Sequence, residues 1–303
     1  MKNFFLILIF FSITLHSAVN AQSFDAKTLL DDLEYLASEK LQGRKTGTEG
    51  AQLAREYIKD RFEHLGLSSQ YTDFTQTFSF FNRRELKEYQ DAANIVGFVA
   101  GSDSERLIVV MAHYDHLGKR GDKIFYGADD NASGTAALLA IAEHFSKERP
   151  KHSMMFVALD AEEMGQHGSK AFVEDFPFPI DQVVLNINMD MVSRSEENIL
   201  WAVGTYHYPF LKPVLEKVRT GSAISLEFGH DEPNSKLQDW TLSSDHAAFH
   251  KEGVPFIYFG VDDHEDYHKE TDTFERIDQE FFIAAVELIL AAINEFDSSL
   301  LNK

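Results

Sequence analysis

Apolar residues recur along this chain with two different periods, and the alternation between them predicts the architecture. Between residues 26 and 66 the spacing is helical. Leu29, Leu30, Leu33, Tyr35 and Leu36 mark a first helix, and Leu53, Tyr57, Ile58, Phe62 and Leu65 mark a second that starts at Thr48-Glu49-Gly50 and stops at Gly66. From residue 95 onward, short β-rich runs alternate with helical stretches. Strands are expected at residues 95–99, 107–111, 154–159, 183–189, 199–203 and 256–259, and helices at 134–145, 169–173, 210–218, 245–251 and 279–295. Strands that are apolar without interruption need cover on both faces. The pattern therefore predicts a single α/β domain with a mostly parallel, mixed central sheet and helices on both faces. Residues 69–93 and 204–240 read as containing pocket-wall loops, whose Phe and Tyr content either lines an apolar pocket or packs as core. No internal repeat or Pro/Gly/Ser-rich linker divides the chain.

The first residues break this pattern. Met1-Lys2-Asn3 is followed by the apolar run Phe4-Phe5-Leu6-Ile7-Leu8-Ile9-Phe10-Phe11, and small residues close it at Val19-Asn20-Ala21. This is the form of a signal peptide, with cleavage expected before Gln22. Residues 22–303 are then the exported domain, secreted or periplasmic. No later stretch reaches the roughly 18 uninterrupted apolar residues of a membrane helix, so no integral membrane segment is expected after cleavage. There are no cysteines. An exported chain without disulfides must be held by an ordinary core, which a body of about 280 residues can supply. The net charge of −21 would repel nucleic acid. Most of the acids read as a solvated surface, but several stand in apolar contexts where that reading fails.

In a sheet of this class, ligands bind beyond the C-terminal ends of the strands, so polar residues directly following apolar runs are the candidates. Residues 107–111 run out into Ala112-His113-Tyr114-Asp115-His116, residues 156–159 into Asp160-Ala161-Glu162-Glu163, and residues 184–189 into Asp190. A histidine and acids delivered to one edge from three strands suit a metal cluster, since imidazole and carboxylate together favour zinc. His113 and Asp115, two apart, face the same way on an extended chain. One can bind metal while the other accepts the imidazole's second N–H; a histidine in such a place also serves as a plain hydrogen-bonded core residue. The loop Gly127-Ala128-Asp129-Asp130-Asn131-Ala132-Ser133-Gly134 supplies more acid just before a helix, beyond what capping requires. In Glu162-Glu163 one carboxylate can bind metal while its neighbour takes a proton from water. The run from Asp262 to Thr273 is rich in further ligands, and the residues themselves do not choose between His264 and His268.

Five motifs in order carry a resemblance. His113-x-Asp115, the 127–134 loop, Ala161-Glu162-Glu163-x-Gly165-x-x-Gly168-Ser169, Asn188-x-Asp190-Met191 and Tyr267-His268-x-x-x-Asp272-Thr273 together resemble the co-catalytic zinc exopeptidase family of bacterial leucyl-type aminopeptidases. That family also includes glutamate carboxypeptidase and glutaminyl cyclase. Leu41-Gln42-Gly43-Arg44-x-Thr46-Gly47 is similar to its N-terminal segment. The resemblance implies a zinc-exopeptidase, phosphorylase/hydrolase-like fold that binds two zinc ions and acts on peptide substrates. It implies that Asp130 bridges the ions, that His113 and Asp190 complete one site, and that Glu163 and His268 complete the other. Glu162 would be the general base that activates a metal-bridging hydroxide, Asp115 the partner that orients His113, and Tyr267 a hydroxyl at the oxyanion. Ser244-Asp245-His246-x-x-Phe249 would surround the site and wall its pocket. Asp129 stands where some relatives have Asn, a difference expected to matter little.

The implied activity is removal of N-terminal residues from peptides. A glutaminyl-peptide cyclotransferase on the same scaffold is the alternative, and the complete five-ligand set favours hydrolysis. An inactive binding ectodomain would have lost Glu162 or a ligand, and all are present. A metal-free domain would leave buried carboxylates unpaired at several kcal/mol each.

Overall fold

The computed structural model describes residues 24–299. The expected leader at 1–21 and its cleavage point lie outside them. Two helices, α1 (Ala26–Leu36) and α2 (Glu49–His64), open the chain, each capped by a side chain that accepts a backbone N–H: Asp25 from Thr28 and Thr48 from Ala51. The remaining elements are β1 (Thr75–Asn82), β2 (Lys87–Val99), β3 (Asp103–His113), β4 (Gly118–Arg120), β5 (Lys123–Phe125), α3 (Gly134–Lys147), β6 (His152–Leu159), α4 (His167–Glu174), β7 (Val183–Met189), β8 (Ile199–Val203), α5 (Lys212–Arg219), β9 (Ser225–Phe228), α6 (His246–Lys251), β10 (Phe256–Gly260) and α7 (Gln279–Ser299).

Eight of these strands form one sheet in the order β1-β2-β6-β3-β7-β10-β8-β9. The central four, β6, β3, β7 and β10, are parallel, with Val110 level with both Phe156 and Ile187. Antiparallel pairings of β1 with β2, β2 with β6 and β10 with β8 flank them, so the sheet is mixed towards both edges. Side-chain alternation assigns the two faces. Ile108, Val110 and Ala112 pack on the side covered by α1, α2, α3 and α7, while Leu107, Val109 and Met111 pack on the side covered by α4 and α6. β6 is buried along its whole length, which is why its stretch from Met154 to Leu159 reads as an unbroken apolar run. Each fully buried Leu, Ile, Val or Phe on these faces contributes roughly 1.5–3 kcal/mol relative to exposure.

Two expectations change. Residues 69–93 are not a loop: they contain β1 and the start of β2, a hairpin at the sheet edge. The outer strand is half exposed and Lys87-Glu88-Tyr89-Gln90-Asp91 is polar but for Tyr89, so a search for apolar runs passes over it. In the 204–240 region β9 adds a short parallel edge strand beside β8. Among the described residues, no helix is long and apolar enough to cross a membrane.

Candidate metal centre

Parallel strands release their polar continuations at one edge, and the groups expected there converge. His113 is the last residue of β3. Its Nδ1 lies 3.1 Å from the Asp115 carbonyl and 3.6 Å from the Asp115 carboxylate, which points Nε2 the other way, 3.2 Å from Asp190 Oδ1 and 3.5 Å from Asp130 Oδ1. Asp115 is fully buried and accepts the backbone N–H groups of Glu162 and Glu163 at 3.0 and 3.4 Å. One carboxylate thereby fixes both a histidine and the turn that carries two acids. That turn leaves β6 through Ala161, whose φ of +59° is unusual for a residue with a side chain. Met191, just after Asp190, and His268 also have positive φ. Strained backbone of this kind persists where the surroundings enforce it, and here it flanks the converging side chains.

The loop before α3 is held from three sides. Asp272 accepts the N–H groups of Asp129 and Asp130 at 2.9 and 3.1 Å. Asn131 donates to the Met189 carbonyl and accepts from Gly134 and Met191, which ties the loop to the end of β7. Arg44, fully buried, donates to the carbonyls of Leu36, Tyr114, Tyr126 and Gly127. Its burial depresses the guanidinium pKa to about 10 against the pull of Asp272, Asp130, Asp115 and Glu163. So held, Asp130 offers its carboxylate in two directions. Oδ1 faces His113, while Oδ2 lies 3.0 Å from His268 Nε2. His268 in turn is 3.3 Å from Glu163 Oε2. Asp190 is anchored by Ser244, whose hydroxyl donates to it at 2.7 Å and accepts from Asn188.

The structure separates residues that the sequence left together. His264 turns away from the cluster: its Nε2 meets Asp129 Oδ2 at 3.1 Å while Nδ1 accepts the Asp266 N–H. Asp129 also takes both the N–H and the hydroxyl of Ser193, so this fully buried acid has more partners than its small expected role suggested. Asp160, the first acid after β6, points the opposite way, to Thr46, the Ala93 N–H and its own turn at Ala161. Asp266 belongs to an ion cluster with Arg194 and Arg276. Tyr267 lies on the cavity wall with its ring stacked on His268 at 4.0 Å, and Glu162 lines the same cavity of about 800 Å³. Phe81, Asn82, Arg83 and Arg84 at the hairpin tip also line this cavity.

Sequence reasoning passed over His116. Its ring is buried, with Nδ1 2.7 Å from Glu163 Oε1 and 3.8 Å from Asp130 Oδ2. The parity rule that pairs His113 with Asp115 would send His116 to the other side, but β3 ends at His113 and the rule ends with it. Its place next to two candidates in the run 112–116 was the available signal.

Electrostatics ask for cations here. Burial and the neighbouring Glu163 push the Asp130 carboxyl up, and burial does the same to Glu162. Burial disfavours charge on His113, yet Asp190 and Asp115 overcome it and raise its affinity for a proton; by the same contest with Asp130 and Glu163, His268 rises to about 10. Burial also works against the Glu163 anion, but His116 and His268 win and hold its pKa low. A cluster that strains to collect protons has an excess of negative charge for its surroundings. Both nitrogens of His116 and Glu163 Oε1 are buried without a hydrogen-bond partner. Donor atoms left over in this way, all imidazole or carboxylate, fit divalent ions of the zinc type. Two groups have the required convergence: His113 with Asp130 and Asp190, and His116 with Asp130 and Glu163.

Known proteins resemble this chain in sequence and in fold. The profile of Peptidase family M28 matches residues 94–293. Aminopeptidase YwaD of Bacillus subtilis is 29% identical over 222 residues, which cover 68% of this chain and 45% of that one. The chain thus spans less than half the length of that relative. The solved aminopeptidase from Aneurinibacillus sp. strain AM-1 superimposes with a TM-score of 0.70 at 14% identity, covering 90% of this chain and 94% of its own. Porphyromonas gingivalis glutaminyl cyclase gives 0.74 at 17% identity, covering 91% and 99%. At such identities these two structures speak for the fold.

Proposed function

We infer the reaction from the family and the site together: this chain belongs to peptidase family M28, and we propose that it releases residues from the amino ends of peptides at a centre of two zinc ions. The observation that carries the two-ion reading is Asp130, whose two oxygens face different donor groups: His113 and Asp190 on one side, Glu163 and His268 on the other. Asp130 would bridge, and the four others would complete the two sites. When bound, the ions would supply Lewis acidity, which polarises a scissile carbonyl and makes a bound water easier to deprotonate.

The chain's own groups do the rest. Glu162 is half-buried in the cavity wall beside these side chains, and the loss of solvent around its carboxyl raises its affinity for a proton. That suits a base which takes the proton of the attacking water as the C–O bond forms and passes it to the nitrogen as the C–N bond breaks. Asp115 serves as a positioning residue: the carboxylate that receives the Glu162 and Glu163 N–H groups also lies against His113. The Tyr267 hydroxyl is the group on the cavity wall suited to hold the oxyanion. We further propose that residues 1–21 are removed on export and that the enzyme works outside the cytoplasm.

The test is to purify residues 22–303, count bound metal, and assay N-terminal aminoacyl amides beside an N-terminal glutaminyl peptide and N-acetylated controls. Two ions per chain with chelator-sensitive release of the first residue, absent for the acetylated peptides, is the expected result. Loss of ammonia from the glutaminyl peptide without hydrolysis would replace the aminopeptidase reading with the cyclase, and cleavage of the acetylated peptides would remove the requirement for a free amino end.

A further inference from the structure

We propose that His116 is a metal ligand, joining Asp130, Glu163 and His268 around one ion, so that the two halves of the centre are unequal: four protein donors on the Glu163 side and three on the His113 side. This rests on the two-ion reading above and adds to it a donor that the five-motif resemblance does not include.

The argument is geometric. Donors about 2.0–2.1 Å from a shared zinc in tetrahedral arrangement lie about 3.3 Å from one another. The relevant separations scatter around that figure: 2.7 Å from His116 Nδ1 to Glu163 Oε1, 3.8 Å from His116 Nδ1 to Asp130 Oδ2, 3.0 Å from His268 Nε2 to Asp130 Oδ2, and 3.3 Å from His268 Nε2 to Glu163 Oε2. The competing role for His116 is a hydrogen bond to Glu163. The two atoms are 2.7 Å apart but do not meet at the angles of a well-formed hydrogen bond. Two donor atoms this close and not aligned on each other are free to share a third partner, as ligands of one ion do, and both lie within 4.8 Å of an Asp130 oxygen. The fold also makes room for the ring. Gly127 has φ +59°, and a Cβ there would collide with the His116 imidazole and the Asp130 carbonyl. The loop that carries Asp130 can therefore pass over His116 only because residue 127 has no side chain.

Unequal donor sets have a functional consequence. Four protein donors leave room for little beyond the reacting water, whereas three leave a further open position of the kind catalytic zinc keeps. The Glu163 side then holds its ion more tightly and fills first, and the His113 side is where a substrate oxygen can enter.

Cobalt substitution reads this without reference to turnover. Each coordinated imidazole contributes one exchangeable, strongly shifted N–H resonance to the proton spectrum of the Co(II) protein. Three such signals are expected from the wild type, for His113, His116 and His268, and two from His116→Gln. In competition with a chromophoric chelator, zinc should bind the wild type in two resolved steps. His116→Gln should weaken the tighter step by more than the 10–100-fold typical of a group that merely supports a ligand, and leave the weaker step unchanged. Two shifted signals in a wild-type protein that holds two ions would overturn the role of His116 while leaving the two-ion centre intact. A wild type that binds no metal, or one ion only, would overturn the centre itself. If His116→Gln does not fold, the wild-type signal count still decides.

Discussion

Glu162 and its neighbour Glu163 show how far one residue's surroundings set its task. They are adjacent and chemically alike, yet burial pushes the proton affinity of Glu162 up while His116 and His268 hold that of Glu163 down. On the proposed mechanism the first moves protons and the second holds metal. Glu162→Gln should then keep the melting temperature and the metal content of the wild type and lose on the order of 10²–10⁴-fold in kcat. Undiminished turnover in that variant would remove Glu162 from the role. His246 offers a test of stability instead. It is fully buried against Tyr258, its Nε2 lies 3.0 Å from the Trp240 carbonyl, and burial lowers its pKa to about 4. The unfolded chain takes up this proton near pH 6.5 and the folded chain resists it until about pH 4. Between those values the unfolded state binds more protons, so stability present above pH 6.5 is lost as the pH falls towards 4. The contribution is up to about 3 kcal/mol. Denaturant titrations of wild type and His246→Gln across this window should converge as the pH falls; parallel curves would show that His246 stays charged in the fold.

At the scale of elements, the centre is a meeting of strand ends held by loops. β3, β6 and β7 deliver His113, the Glu162-Glu163 turn and Asp190, and the loop before α3 brings Asp130 across them. What holds that loop is Asp272, from a distant segment, receiving two successive N–H groups. Asp272→Ala removes no proposed ligand and touches no strand. It should nevertheless weaken metal binding by about 10–100-fold while the fold survives, the usual cost of losing a group that orients ligands. An unchanged metal affinity would mean that Arg44 and Asn131 suffice to hold the loop. The strand order was legible in part. The central parallel strands announce themselves as apolar runs because both faces are covered. The β1–β2 hairpin does not, since its outer face meets solvent and its sequence is correspondingly polar.

Over the whole molecule, a net charge of −21 is divided between a solvated surface and a buried cluster of carboxylates that no surface argument covers. Bound dications would neutralise the second share, so metal and fold should be linked. Zinc free at about a thousand times the Kd of a site adds about 4 kcal/mol for that site, and at about 2 °C per kcal/mol for a chain of this size the melting temperature should rise by about 8 °C for each site filled. Chelation should reverse the shift, and a melting temperature indifferent to zinc would argue against tight sites. The sequence by itself determined the class of fold and the chemistry brought to the sheet edge, because burial on two faces and the need for imidazole and carboxylate both constrain residue type position by position. It did not determine which of these groups meet. His113 and Asp190 are 77 positions apart, His268 lies far beyond both, and Asp160 stands beside Glu162 in sequence while facing Thr46. Only the tertiary structure brought His116 to Glu163 and turned His264 aside to Asp129. Both outcomes depend on where a strand stops and how a loop crosses it, which is settled by packing between segments and leaves no periodic trace in either one.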